Sequence, residues 1–99
     1  MHNVKIHHSY RDVVAVCDSE LLGKYFDEGR FQLDIKESFY KGDEVSGEEL
    51  LDLLRKMARE DATFNIIGKD SVDACIKIGL INEASVKKIA GIPYAMILA

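Results

Sequence analysis

Phe31, Leu33 and Ile35 alternate with Arg30, Gln32, Asp34 and Lys36. That period of two belongs to a strand with one face on a core and the other in water. Residues 4–8 and 13–17 are two further β-rich runs, and Ser9, Tyr10, Arg11 and Asp12 between them read as a hairpin connection. Val13, Val14, Ala15 and Val16 are apolar without interruption, which suits a central strand covered on both faces. The period then changes to that of a helix. Leu50, Leu53, Leu54, Met57 and Ala58 recur at steps of three and four, with Glu48, Asp52, Arg55, Lys56 and Arg59 on the opposite side. Ser46 and Glu49 stand in the spacing of a capping box, so the helix should begin there.

The remaining chain alternates strand and helix signals. Residues 63–67 read as a strand and Gly68-Lys69 as a tight turn; Asp70 is the expected cap of a helix carrying Val72, Cys75 and Ile76 inward and ending at a left-handed Gly79 with Leu80 folding back. Residues 86–90 and 94–98 read as two more strands around Gly91-Ile92-Pro93, since the residue before proline is pushed toward extended geometry. Between the second and third strands, Asp18 or Ser19 could cap one helical turn that Gly23 closes. The expected architecture is α+β, or mixed α/β: a mixed sheet of about five to six strands with two main helices in a single layer on the sheet. Strand, helix and strand over residues 63–90 would form a right-handed crossover or an antiparallel return. The C-terminal strand, five apolar residues without a flanking charge, is expected either inside the sheet or at a contact between subunits.

Composition narrows the class. Ninety-nine residues, 47% of them hydrophobic and 30% charged, suit one domain over residues 1–99 with its own core. Cys17 and Cys75 form neither a Cys-x-x-Cys pair nor a disulfide framework, and no apolar run is long enough to span a bilayer, so a reducing cytoplasm is the expected location. The net charge of −4 disfavours nonspecific nucleic-acid binding. Most of the negative charge lies in residues 43–62, which hold seven acidic and three basic side chains; a modest basic patch at Lys87 and Lys88 is compatible with the rest.

One resemblance extends along the chain. Val14-Ala15-Val16-Cys17-Asp18-Ser19-Glu20-Leu21-Leu22-Gly23-Lys24, then Phe26, Glu28 and Gly29, Phe39-Tyr40-x-Gly42, Asn65-x-x-Gly68, Gly79-Leu80-Ile81 and Ile89-x-Gly91-Ile92-Pro93-x-Ala95 resemble an archaeal family known only as domain of unknown function 424. The resemblance implies a small archaeal cytoplasmic protein, supplies no catalytic residue, and tilts the choice of partner toward the translation machinery.

The candidate chemistry has to come from the residues. Cys17 as nucleophile with His8 as base would make a thiol enzyme, against the plainer reading of Cys17 as a small buried hydrophobe. His2, His7 and His8 with Asp12 or Asp18 could suggest a metal, but adjacent strand residues point to opposite faces and no metal is expected. Asn65, Gly68 and Lys69 place a glycine turn before a helix, where free amides could hold a small anion, although no phosphate-loop pattern is present. Gly91 and Tyr94 could form a proline-fixed binding loop, and Lys24, Phe26, Arg30 and Tyr40 could stack on RNA. No catalytic set and no cofactor emerges. The leading expectation is therefore a noncatalytic binding or adaptor module, monomeric or homodimeric, whose partner is a protein or ribonucleoprotein.

Overall fold

A computed structural model describes residues 1–98. Eight strands form two sheets: β1 (His2–His7), β2 (Val13–Asp18), β3 (Tyr25–Glu28), β4 (Phe31–Asp34), β5 (Asp43–Val45), β6 (Thr63–Ile67), β7 (Lys87–Ile89) and β8 (Ile92–Ile97). Three helices accompany them: α1 (Glu37–Tyr40), α2 (Gly47–Arg59) and α3 (Lys69–Lys77). The main sheet is six-stranded in the order β5-β1-β2-β6-β8-β7, and β3 with β4 forms a separate two-stranded ribbon. The architecture is the expected mixed-sheet α+β fold.

Strand β2 shows why its apolar run is continuous. Val14 and Val16 enter one core with Val4, Phe64 and Ile66, roofed by Leu50, Leu54 and Met57 of α2 and Val72 and Cys75 of α3. Ala15 and Cys17, one residue out of phase, enter a second core with Ile67 and Ile89, closed by Leu33, Ile35 and Tyr40. Both main helices thus lie on one face. The other face is closed by the β3–β4 ribbon and α1, a cover that the sequence pattern did not suggest, because Tyr25–Glu28 lacks alternation and its pairing with Phe31–Asp34 depends on Gly29 turning at φ +63°.

The parallel pair falls elsewhere than the two alternatives considered for residues 63–90. Strand β6 runs parallel to β2, with Val13 opposite Thr63 and Cys17 opposite Ile67, whereas β8 returns antiparallel beside β6. The crossover is the long excursion from β2 through the ribbon, α1, β5 and α2. Strand β8 is inside the sheet where β7 flanks it, up to Tyr94; Ala95, Met96 and Ile97 pair with β6 alone.

Helix ends follow local chemistry. Glu49 N–H donates to Ser46 Oγ at 3.2 Å and Ser46 N–H donates to Glu49 Oε1 at 2.9 Å, completing the capping box. These bonds hold the Glu49 carboxyl below its ordinary value. Ser46→Ala is expected to cost about 1 kcal/mol, read as a lower urea midpoint with an unchanged circular-dichroism spectrum. An unchanged midpoint would show that the cap contributes nothing. At the end of α3, Leu80 N–H donates to Cys75 O at 2.9 Å and Gly79, at φ +75°, donates to Ile76 O at 3.0 Å, the glycine-terminated closure anticipated from Gly79-Leu80.

The start of α3 departs from expectation. Gly68, not Asp70, is the cap residue, at φ 111° and ψ 151°, and Asp70 lies inside the first turn. Asp18 precedes a 3-10 turn at Ser19–Leu21 but makes no side-chain bond to it. Its carboxylate instead crosses to α3.

Candidate functional site

Strands β2 and β6 end side by side, so the residue after each arrives at the same edge of the sheet. Asp18 is the last residue of β2, and Gly68 and α3 follow β6. The buried Asp18 carboxylate accepts from Asp70 N–H at 3.1 Å, from Ser71 N–H at 2.8 Å and from Ser71 Oγ–H at 2.6 Å. His2 Nδ1 lies 2.8 Å from Ser71 Oγ. An ionised carboxylate only accepts, so the Ser71 hydroxyl proton goes to Asp18 and His2 Nδ1 donates to Ser71. Burial is the main cause holding the His2 imidazole below its ordinary pKa, with Asp18 opposing it. Gly68 is glycine because a Cβ there would come within 2.4 Å of Asp18 Cγ.

This cluster settles what the α3 terminus can offer an anion. The first-turn amides of Asp70 and Ser71 already face a carboxylate supplied by the chain itself, so the ligand position expected at Gly68 and Lys69 is filled by Asp18. Glu20 and Asp70 bring carboxylate oxygens within 4.8 Å of those of Asp18, the one grouping among the described residues with metal-ligand spacing. The Asp18 oxygens in it are spent on α3.

The thiol alternative fails on geometry. Cys17 is fully buried and sits across from Asn3, while His8 lies beyond the other end of the β1–β2 ladder, where His7 faces Val13. His8 is exposed, with Nδ1 3.4 Å from Asp12 Oδ1. Burial, helped by Asp18 and Glu20, pushes the Cys17 thiol up to about 12, and burial alone does the same to Cys75. Both thiols should therefore resist an aromatic disulfide reagent in the native protein and react only as fast as it unfolds. A stoichiometric reaction within seconds under native conditions would contradict this placement.

The histidines and the proposed stacking residues also disperse. His2 turns to Ser71, His7 stacks on Phe39 with ring centroids 4.5 Å apart, and His8 faces solvent, so no three-histidine set exists. Tyr40 is buried in the second core, whereas the Arg30 guanidinium stands 5.8 Å from the exposed Phe31 ring. They present no common stacking surface.

Two of the expected ligand positions do meet. Lys69 and Gly91 line one cleft of about 380 Å³ beside α3, together with Lys88 and Pro93, over an apolar floor of Val72, Ile76 and Val86. The Gly68 N–H donates to Pro93 O at 2.9 Å, which ties the β6–α3 turn to the β7–β8 hairpin and fixes the cleft wall. Lys69 pairs with Asp73 at 3.2 Å on the rim, and Glu83 is the second carboxylate there. Asn65 and Tyr94 stay apart from this cleft. Asn65 pairs with Ala15 and Met96, and Tyr94 with Ile67, which puts both on the sheet face away from α3.

Sequence reasoning missed Ser71, weighed His2 only as a metal ligand, and took Lys88 as part of a surface patch rather than a wall. The alternation in Lys87-Lys88-Ile89 was the available signal: Lys87 and Ile89 share a face, which turns Lys88 toward α3.

Fold and cleft together define an α+β protein built on a mixed six-stranded sheet, with an open cleft where α3 meets the β7–β8 hairpin, apolar at its floor and carrying two lysines and two carboxylates. Residues 6–99 match the family model described as "Protein of unknown function (DUF424)", and the chain belongs to that family. An uncharacterized conserved protein from Methanopyrus kandleri has a crystal structure with a TM-score of 0.87 to this chain at 24% identity, covering 97% of this chain and 89% of that one. At that identity the likeness is one of fold. No curated protein matches the chain. Among the described residues, no helix is long and apolar enough to cross a membrane.

Proposed function

We propose that this chain is a noncatalytic binding or adaptor module of the archaeal cytoplasm, in contact with the translation machinery, and that the cleft at Lys69, Lys88 and Gly91 is its contact surface. The observation that carries the reading is the convergence of two separate glycine turns, after β6 and before β8, on one cleft with an apolar floor and lysines at its wall. A rigid sheet holds both turns, and the Gly68–Pro93 hydrogen bond locks them together. Such a surface recognises a partner by fit and charge, and it needs no activated nucleophile.

The test is cosedimentation of the purified protein with ribosomal subunits from archaeal cells, wild type against Lys88→Glu. Reversing one cleft charge should weaken an association with an anionic particle several-fold and make it less salt-dependent. Equal cosedimentation of both proteins would remove the cleft from the contact, and no cosedimentation of either would remove the translation partner.

A further inference from the structure

Strand β8 is covered along only half of its outer edge. Strand β7 pairs with Ile92, Pro93 and Tyr94, and beyond Tyr94 no strand lies along that edge among the described residues. The backbone phase there follows from the hairpin turn. Ala90 and Gly91 both have positive φ, 51° and 79°, so Ile89 and Ile92 close a two-residue turn as a hydrogen-bonded pair. Alternation along the ladder then sends the backbone groups of Ile92 and Tyr94 toward β7 and those of Pro93, Ala95 and Ile97 toward β6. The Pro93 carbonyl obeys this phase, accepting from Gly68 N–H at 2.9 Å. Met96, one step out of phase with Ala95, therefore turns its N–H and C=O outward, and Leu98 follows in the same phase.

The open edge is apolar on both faces of the sheet. Met96 and Leu98, 64% and 75% exposed, lie on the face away from the main helices, since Met96 pairs with Asn65 and side chains alternate along a strand. Ala95 and Ile97 lie on the helix side, opposite Ile66 and Phe64. Beside the edge opens a groove of about 710 Å³ walled by Leu80, Ile81 and Asn82, with Glu83 the one charged side chain among the described residues that line it. Edges that stay solitary carry charge, and the two outermost strands do: β5 has Asp43 and Glu44, and β7 has Lys87 and Lys88. The open half of β8 has no charge, and Pro93 lies in the half that β7 covers.

These features select a second copy as the occupant. An added strand needs unpaired backbone groups, an uncharged apolar sequence and a matching phase, and Met96-Ile97-Leu98 presents all three to itself. Antiparallel pairing about a twofold axis at Ile97 sets Met96 opposite Leu98 of the partner subunit. Both residues turn their backbone groups to the seam, so the symmetry makes two reciprocal pairs of hydrogen bonds. An axis at Met96 makes only one such pair, because the next outward residue, Tyr94, already pairs with Lys87. The axis at Ile97 also keeps like faces together, with Met96 packed on the partner's Leu98 on one face and Ile97 on the partner's Ile97 on the other. A charged strand would set its charges against Met96 and Leu98 with nothing to pair them.

We infer that this chain forms a homodimer by antiparallel β8–β8 pairing over Met96, Ile97 and Leu98, which joins the two six-stranded sheets into one continuous sheet. The pairing uses up the edge in both copies, so assembly stops at two. It is independent of the contact at the Lys69 cleft, since dimerisation is read without any partner present.

Sedimentation equilibrium of the full chain from about 10 μM to about 1 mM tests it. The expected result is a reversible monomer–dimer equilibrium with no larger species. Met96→Pro removes only the outward N–H and leaves the β6 ladder intact, whereas Met96→Lys places a charge on the seam. Each change should weaken dimerisation at least about tenfold and keep the wild-type circular-dichroism spectrum. Combining Met96→Lys with Leu98→Glu should restore the dimer, because the introduced ammonium of one copy then faces the introduced carboxylate of the other. Four outcomes would each overturn the proposal: a wild type that stays monomeric throughout, species that grow beyond the dimer, a dimer indifferent to both single changes, or a double variant as weak as Met96→Lys alone.

Discussion

Replacing Asp18 by alanine is expected to lower the unfolding free energy by about 3 kcal/mol, the range seen when a buried acceptor of several hydrogen bonds is removed. The wild-type carboxylate takes two amides and a hydroxyl of α3 at 2.6–3.1 Å, and the His2 ring hangs on the same hydroxyl. Alanine leaves the Ser71 N–H and Oγ–H facing a void in a site that is almost closed to water. Loss of an ordinary helix cap costs about 1 kcal/mol. The larger figure reflects burial and the number of donors stranded together. Asp18→Asn should fall between the two, because one oxygen still accepts while the new NH₂ group opposes an amide. Urea denaturation of the three proteins measures this. A cost below about 1 kcal/mol for alanine would mean that water enters and replaces the carboxylate.

Deleting residues 95–99 is expected to abolish cooperative unfolding. Ala95 faces Ile66 and Ile97 faces Phe64 across the β6–β8 ladder, and both project into the core beneath the helices. Without them β6 loses its β8 partners from Phe64 to Ile66 and becomes an edge, and β8 keeps only Ile92, Pro93 and Tyr94, the residues that pair with β7. Exposed apolar edges of this kind recruit other chains, so the truncated protein should aggregate or elute as large species by size exclusion. A truncated chain that stays monomeric and melts at the wild-type temperature would show that β8 contributes little. Met96 and Leu98 do not decide the outcome, since both are exposed on the intact protein.

Residues whose neighbours are close in sequence were the legible ones. The Ser46–Glu49 box, the Gly79-Leu80 closure and the double burial of β2 are written in spacing and apolar run length, and each appears in the structure. What depends on which strands lie side by side was not legible. Asp18 reads as a cap for the turn that follows it, because a local acceptor is the default; only the parallel β2–β6 pairing reveals that a helix start 52 residues away is nearer in space. The same pairing filled the expected anion position with a carboxylate from within the chain. The Cys17–His8 proposal failed for a related reason, since the antiparallel register sends the two residues to opposite ends of one ladder. Lys69 and Gly91 were each visible as turn residues, but their meeting in one cleft rests on the Gly68–Pro93 hydrogen bond, which no local pattern announces.

The parallel β2–β6 ladder also sets the order of events in time. Thr63 follows Val13 by fifty positions, so the centre of the sheet closes only after a long loop has lost its freedom, and such non-local closures slow folding far more than they weaken the final state. The Asp18 bonds to Asp70 and Ser71 cannot form until that ladder is in register, which places them late on the folding route. Asp18→Ala should then leave the refolding rate almost unchanged and speed unfolding instead, by roughly a hundredfold for a loss of about 3 kcal/mol. In stopped-flow mixing the variant would move the unfolding limb alone, whereas a slowed refolding limb would place the clamp in the nucleus. On that account Asp18 acts as a latch: it governs how long the finished sheet stays shut and has little influence on how quickly it is built.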